Sequence, residues 1–259
     1  MPEWIQNGKG LAATEILLTA ALLLVMAHRG LAGTYRIFLA FMAVKSVDSV
    51  IFIVLNPATN RYAYAYLAAN PILWVFSILV VLELYENVLA DFPGIVSFGK
   101  WVITGTFAIA VCISLLTARY DWNVSAHPLS PVLFYYTFIE RGVTTSQVLF
   151  LLLMTVFLRW FPAPLQRNVH VHTVILFFYF LIESSLLLFR NLVGEQVTMP
   201  VNLAILGASC LCVIGWIWQL SPKLADRKIT YRKVDMEEEN RILGGLRAVN
   251  DTLLGAAKR

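Results

Sequence analysis

Lys45 and Asp48 lie near the middle of YRIFLAFMAVKSVDSVIFIVL, an otherwise apolar stretch of about membrane-spanning length. A charge at the centre of a bilayer costs about 3 kcal/mol on insertion scales, so it needs an opposite charge or water beside it. Lys45, Asp48 and Ser49 are spaced i, i+3, i+4 and therefore share one face of a helix. This face predicts a polar site inside a membrane.

Other apolar stretches also carry polar groups at helical spacing. Glu140 and Gln147 share a helical face, with Arg141 beside it. Glu183 lies in a second polar stripe, which ends at Arg190. Together with an asparagine that precedes a proline in a third stretch, they complete the set of candidates for one polar cavity: Lys45, Asp48, Asn70, Glu140, Arg141, Glu183 and Arg190.

The depth of these groups in a membrane favours a shared cavity. If the N-terminus is outside, Lys45 lies near mid-membrane, and Asp48 lies about 4.5 Å nearer the outer face at 1.5 Å per residue. Glu183 falls near the middle, whereas Glu140 and Arg190 lie further out. We therefore predict a polar cavity that opens outward. The helices around it are those of residues 35–55, 63–90, 131–159 and 170–192.

A structural role for the same charges is the alternative. Interhelical polar contacts are common and average about 0.6 kcal/mol each, so these groups would only hold neighbouring helices in register. Three bases stand against four acids, which leaves one acid protonated, exposed or available to a cation. The groups counted are Lys45, Arg141 and Arg190 against Glu15, Asp48, Glu140 and Glu183. The sequence leaves both interpretations open.

The composition indicates that the apolar stretches carrying these charges lie in a membrane. Of the 259 residues, 59% are hydrophobic and only 14% are charged, whereas soluble domains have about 25% charged residues. So few charges cannot cover a soluble surface. The basic residues form no stripe interleaved with stacking aromatics, so we expect no nucleic-acid partner.

Seven apolar runs predict an all-α, polytopic bundle of seven transmembrane helices over residues 1–220. Lysines and arginines beside the runs, above all those after the last one, favour an outside N-terminus and a cytoplasmic C-terminus. We therefore expect a multi-pass protein of the bacterial cytoplasmic membrane. The predicted spans are 11–28, 35–55, 63–90, 98–118, 131–159, 170–192 and 200–220.

Residues 221–259 form a separate cytoplasmic tail. Its first part is basic and is attracted to anionic lipid headgroups. Its second part has an apolar stripe at intervals of four, three and four, which is too short to form a stable isolated coiled coil. It therefore needs the membrane, a cytoplasmic protein or a second copy to rest on. The expected contact residues are Lys223, Arg227, Lys228, Ile242, Leu246, Val249 and Leu253.

Catalytic and metal-binding patterns are missing from the sequence. There is no H-E-x-x-H, no Gly-rich phosphate loop and no G-x-S-x-G. His170 and His172 are two residues apart on one helix and do not converge on a metal, and the three cysteines lie in apolar runs typical of packing. We expect neither an enzyme nor a cofactor.

The segment YAYAYLAANPILWVFSILVVLELYENVL, with its Tyr-x-Tyr entry and its Leu-Glu-Leu-Tyr-Glu exit, resembles a group of uncharacterised seven-helix bacterial membrane proteins. The layout is similar along most of the chain, including the short charged tail. The resemblance implies an architecture and no activity.

These observations lead to two functional hypotheses. The first is a non-enzymatic sensor or accessory subunit, which uses an outward-facing cavity and contacts a partner through the tail. The second is a small ion- or proton-coupled transporter or channel that uses the intramembrane charges.

Overall fold

A computed structural model of the chain describes six main stretches and several short pieces of the remaining sequence. The main stretches are residues 3–55, 59–89, 139–140, 142–152, 165–193 and 195–220. The short pieces are 94, 96–97, 104–105, 108–109, 112, 222, 228–229, 244–245, 247–253 and 255.

The described part of the chain is helical except for one short antiparallel pairing. Its long helices are α1 (Glu3–His28), α2 (Arg36–Val54), α3 (Asn60–Val88), α4 (Gly142–Leu152), α5 (Arg167–Val193) and α6 (Thr198–Gln219). A 3₁₀ turn, Glu195–Val197, precedes α6. The pairing joins β1 (Leu165–Gln166) to β2 (Lys228–Ile229), with Gln166 opposite Lys228.

Five of these helices, α1, α2, α3, α5 and α6, are long and apolar enough to cross a membrane. Their outward faces carry large apolar side chains: Leu17 and Val54 are each 71% exposed, and Leu211 is 70% exposed. Soluble monomers rarely expose contiguous apolar surface on this scale, whereas lipid accommodates it. The chain is therefore a helical, multi-pass membrane protein, as the composition predicts.

The five helices are arranged as a closed ring. α1 packs between α2 and α6, α3 packs on the far side of α2, α5 packs on the far side of α6, and α3 contacts α5. Side-chain hydrogen bonds from α4 reach both α3 and α5, through Gln147 to Ser77 and between Thr145 and Ser184. We call the half of this bundle nearest the N-terminus of α1 the upper half, and the other the lower half.

Large side chains fill the lower half. Phe38 of α2 and Trp216 of α6 are almost fully buried, and their rings meet edge to face with centroids 4.7 Å apart. The ring of His172 packs against Phe38 at 4.4 Å. Aliphatic side chains from the other helices complete this core: Leu22, Met26, Leu84 and Leu176. Large side chains consequently fill the described lower half, which also buries two polar atoms without a described partner, Nδ1 of His172 and Nε1 of Trp216.

Contacts between helix ends fix the lower half. Gly30, with a φ of 71°, ends α1 in a Schellman motif, in which Gly30 N–H donates to Ala27 and Leu31 N–H donates to Met26. The neighbouring Arg29 guanidinium donates to the carbonyl of Leu220 just after α6. A cation at a helix C-terminus is stabilising because the last carbonyls lack intrahelical partners.

Glu83 of α3 caps the N-terminus of α2. Its two carboxylate oxygens accept hydrogen bonds from the backbone N–H groups of Ile37 and Phe38, each at 2.9 Å. These N–H groups belong to the first turn of α2 and have no partner within the helix. A side chain from a neighbouring helix therefore caps α2.

The predicted all-helical, multi-pass fold is confirmed, and the described helices lie close to their predicted positions. The run 35–55 forms α2 at Arg36–Val54, and the run 200–220 forms α6 at Thr198–Gln219. Most of the predicted span 98–118 lies outside the described residues, as do parts of 131–159. Seven spans and their orientation therefore stay predictions.

Candidate functional site

A cavity of about 200 Å³ lies in the upper half of the bundle. Residues from all six helices line it, together with Glu140, which precedes α4. The lining extends from Tyr62 and Met199, near the first turns of α3 and α6, down to Phe41 and Phe180 in the middle of α2 and α5. The apolar layer of the lower half begins one turn further on, at Phe38. The cavity is thus a pocket in one half of the bundle.

Lys45 is held at the bottom of this cavity by three other helices. Its Nζ lies 3.2 Å from Oε1 of Glu15, 2.8 Å from the hydroxyl of Tyr179 and 2.6 Å from Oγ of Ser209. Three acceptors thus match the three N–H donors of the ammonium group. Lys45 also lies 4.4 Å from the centroid of the Tyr179 ring, within cation–π distance.

Glu15 is equally well satisfied. It is 1% exposed, and besides Lys45 it accepts hydrogen bonds from Ser209 and, at 2.6 Å, from Ser49. Its ion pair with Lys45 joins α1 to α2, while Ser209 adds α6. The partner of Lys45 is therefore Glu15, and not Asp48 three residues along its own helix.

A second ion pair lies higher in the cavity wall. Nη2 of Arg190 lies 3.1 Å from Oε2 of Glu140, and Tyr66 donates a further hydrogen bond to the same carboxyl group. This pair connects the last turn of α5 to the residues just before α4, and Tyr66 adds α3.

Asp48 and Glu183 are left without a cation within the described residues. Both line the cavity and both are only partly buried. Tyr179 donates a hydrogen bond to Glu183, and Lys45 in turn donates to Tyr179. The described part of the cavity therefore holds four carboxylates (Glu15, Asp48, Glu140, Glu183) and two cations (Lys45, Arg190), an excess of two acids.

Gln147 contributes an unpartnered acceptor. Its side chain is fully buried and lines the cavity, and its Nε2 donates to Ser77 at 2.6 Å. No described group donates to its Oε1. Buried carbonyl oxygens nearly always accept a hydrogen bond, so this atom points to a missing donor.

Aromatic rings form much of the remaining wall. Seven aromatic residues line the cavity: Phe41, Phe52, Tyr62, Tyr66, Trp74, Tyr179 and Phe180. Near the upper end the rings of Tyr62 and Tyr66 stack with centroids 6.2 Å apart, and Phe52 meets Tyr62 edge-on at the same distance.

No protein-family model, curated protein or solved structure matches the chain. The function is therefore inferred from the chemistry of the cavity. Among the described residues, no group of three or more His, Cys, Asp or Glu side chains is placed to hold a metal ion.

Six of the seven sequence-predicted cavity residues line this one cavity: Lys45, Asp48, Asn70, Glu140, Glu183 and Arg190. Arg141 lies outside the described residues. Asn70 donates its side-chain amide to the carbonyl of Tyr66 at 3.3 Å, next to the break that Pro71 makes in the hydrogen-bond ladder of α3.

The seven predicted residues leave out three groups of the site. Glu15 belongs to the predicted intramembrane acids and Gln147 shares the predicted helical face of Glu140, but neither is among the predicted cavity residues. Ser209 is a lone serine in an apolar helix, and such a residue carries no spacing signal. The wall residues Tyr62 and Tyr66 resemble membrane-interface aromatics in sequence, and only the fold assigns them to the cavity.

The structure describes three of the seven predicted tail contacts. Lys228 pairs with Gln166 in the short strand pairing, Val249 is 53% exposed, and Leu253 is partly buried. The other four lie outside the described residues: Lys223, Arg227, Ile242 and Leu246. Asn250, between the two described apolar positions, is 8% exposed and accepts a hydrogen bond from Gly94 N–H at 2.7 Å.

Proposed function

We propose that the protein is a non-enzymatic sensor or accessory subunit that binds a small solute in the upper cavity. In this proposal the chain forms seven transmembrane helices in a bacterial cytoplasmic membrane, with the N-terminus outside. The upper half then faces outward, and the tail meets a cytoplasmic partner or a second copy.

The observation that carries the proposal is the combination of an acid-rich cavity with a lower half whose described core is filled by large side chains. Asp48 and Glu183 have no cation among the described residues, although both belong to membrane-spanning helices. Such groups are expensive unless water or a ligand reaches them. Because Phe38, Trp216 and their neighbours fill the lower half, a solute that enters from above stops in the cavity. This arrangement favours binding over passage.

The tail supports the second part of the proposal. α3 begins beside the cavity, where Tyr62 and Tyr66 form part of the wall, and ends at Val88 in the lower half. A few residues later, Gly94 donates to the buried Asn250 of the tail. α3 therefore runs from the cavity wall to within six residues of Gly94, which the tail contacts.

Cysteine labelling tests the direction in which the cavity opens. In a background with Cys112, Cys210 and Cys212 changed to alanine, Asn202→Cys places a thiol in the upper cavity wall. A membrane-impermeant thiol reagent added outside intact cells should label it rapidly. Val50→Cys, on the exposed apolar face of α2, is the matched control and should react slowly. Labelling of Asn202→Cys only from the cytoplasmic side would refute the proposed orientation.

Deletion of residues 234–259 tests the role of the tail. The shortened chain should still insert, because none of the removed residues lines the cavity, but it loses the hydrogen bond from Gly94 to Asn250. A partner that purifies with the full chain should be lost. An unchanged set of co-purifying proteins would argue against signalling through the tail.

Coupled transport is the second candidate function, because unpaired carboxylates inside a membrane are typical of ion and proton pathways. Reconstituted vesicles should then show flux of a solute or ion, and Asp48→Asn or Glu183→Gln should reduce it. Absence of flux across a broad panel would leave the sensor as the remaining proposal.

A further inference from the structure

Three groups of the described cavity wall are acceptors without an ion pair or a donor. Asp48 and Glu183 have no ion pair within the described residues, and Oε1 of the fully buried Gln147 has no donor. Both cations of the described wall are already ion-paired, Lys45 with Glu15 and Arg190 with Glu140. A ligand that fits this chemistry brings N–H donors and positive charge.

The size of the cavity points to an organic molecule. A site needs roughly 10–15 Å³ to hold one water, so a cavity of about 200 Å³ has room for several heavy atoms. A bare metal ion would leave most of this space empty. The described side chains also offer no cluster of three metal ligands.

The walls suit a molecule that has both a cationic and an apolar part. Seven aromatic residues line the cavity, and aromatic faces attract ammonium groups by about 0.5–2 kcal/mol each, more when water is excluded. The same rings provide apolar surface for a short hydrocarbon chain. Charge, hydrogen-bonding capacity and wall chemistry therefore agree.

We propose that the ligand is a small organic molecule with one or two protonated amino groups. Its ammonium N–H groups donate to Asp48 and Glu183, and Gln147 Oε1 accepts a further hydrogen bond. Its hydrocarbon part lies against the aromatic wall. This inference rests on the proposed solute-binding function and specifies the class of solute.

The test is ligand binding by the full chain in lipid nanodiscs, followed by calorimetry and thermal unfolding. The probes are butylammonium and 1,4-diammoniobutane, with butanol, 1,4-butanediol and butyrate as neutral and anionic counterparts of similar shape. The ammonium compounds should bind and raise the unfolding temperature. The alcohols and butyrate should have no effect at the same millimolar concentrations.

Variants locate the binding in the cavity. Asp48→Asn and Glu183→Gln should each weaken ammonium binding about 10- to 100-fold, because each removes a negative charge that strengthens the hydrogen bond to the ammonium group. Glu86→Gln removes an exposed carboxylate from α3 outside the cavity and is the matched control. Gln147→Met should weaken butylammonium several-fold but leave tetramethylammonium unchanged, since the latter has no N–H.

The outcomes separate this inference from the proposed function. If no ammonium compound binds, or if Asp48→Asn and Glu183→Gln bind as tightly as the unsubstituted chain, the amine assignment is wrong. If a neutral or anionic solute instead protects Asn202→Cys from labelling, the amine assignment fails while the solute-binding function stands. If Asn202→Cys is unreachable from outside, the proposed function fails whatever the panel shows.

Discussion

At the scale of single residues, Lys45 and Glu15 carry most of the electrostatic organisation. Glu15 is buried and Lys45 is partly buried in the membrane-spanning part of the protein, and each has its hydrogen bonds satisfied by groups on other helices. Removing one member of such a pair leaves an uncompensated charge, which costs about 3–5 kcal/mol, whereas removing both is often nearly neutral.

We therefore predict that Lys45→Met and Glu15→Gln each lower the free energy of unfolding by several kcal/mol, about 3 or more. The double variant should lose clearly less unfolding free energy than the two single variants lose together, because neither charge is left without its partner. Reversible unfolding in detergent or nanodiscs measures all three. Asp48→Asn is the control and should change stability little, since Asp48 has no ion pair in the described structure. Additive effects would contradict the Lys45–Glu15 pair.

At the scale of elements, the lower ends of α1, α2 and α6 depend on each other. Gly30 ends α1 with a left-handed backbone, which aims Arg29 next to it at the C-terminus of α6. Glu83 caps α2 from α3. The contacts of Arg29 and Glu83 have no signal in the sequence, because each joins residues that are distant along the chain. The helix positions, in contrast, follow from apolar runs bounded by breakers.

Gly30→Ala tests the turn between α1 and α2. A residue with a Cβ pays roughly 1–2 kcal/mol to adopt left-handed backbone angles, so the unfolding free energy should fall by about that amount. Gly33→Ala lies in the same connection, has open space around its Cα and lacks a positive φ. It should therefore be close to neutral. If both substitutions have the same effect, the turn does not depend on the left-handed glycine.

At the scale of the whole molecule, the sequence was enough to predict that the intramembrane charges share one cavity. It was not enough to predict which of them form ion pairs. Charged groups inside a bilayer must meet partners or water, so spacing and depth were enough to bring Lys45, Asp48, Glu183 and Arg190 to one cavity. The partner of Lys45 depends on how α1 and α2 are rotated about their axes. Periodicity gives the polar face of each helix but not the rotation of one face against another. Whether Oε1 of Gln147 finds a donor likewise depends on how neighbouring helices are rotated about their axes.

The connection between the cavity and the tail is tested by Asn250→Ala. Asn250 is buried, and its Oδ1 accepts from Gly94 N–H at 2.7 Å. Losing a buried hydrogen bond costs about 1–1.5 kcal/mol, so the open state of the helical segment 247–253 should become about tenfold more populated. Amide hydrogen exchange in residues 247–253 should accelerate accordingly. Among the described residues, the Thr252 hydroxyl bonds within the same helix, to Ala248, so Thr252→Ala should leave Gly94 protected. Unchanged exchange in Asn250→Ala would mean that the tail rests on Gly94 without needing this bond, and that a signal from α3 would have to reach the tail by another contact.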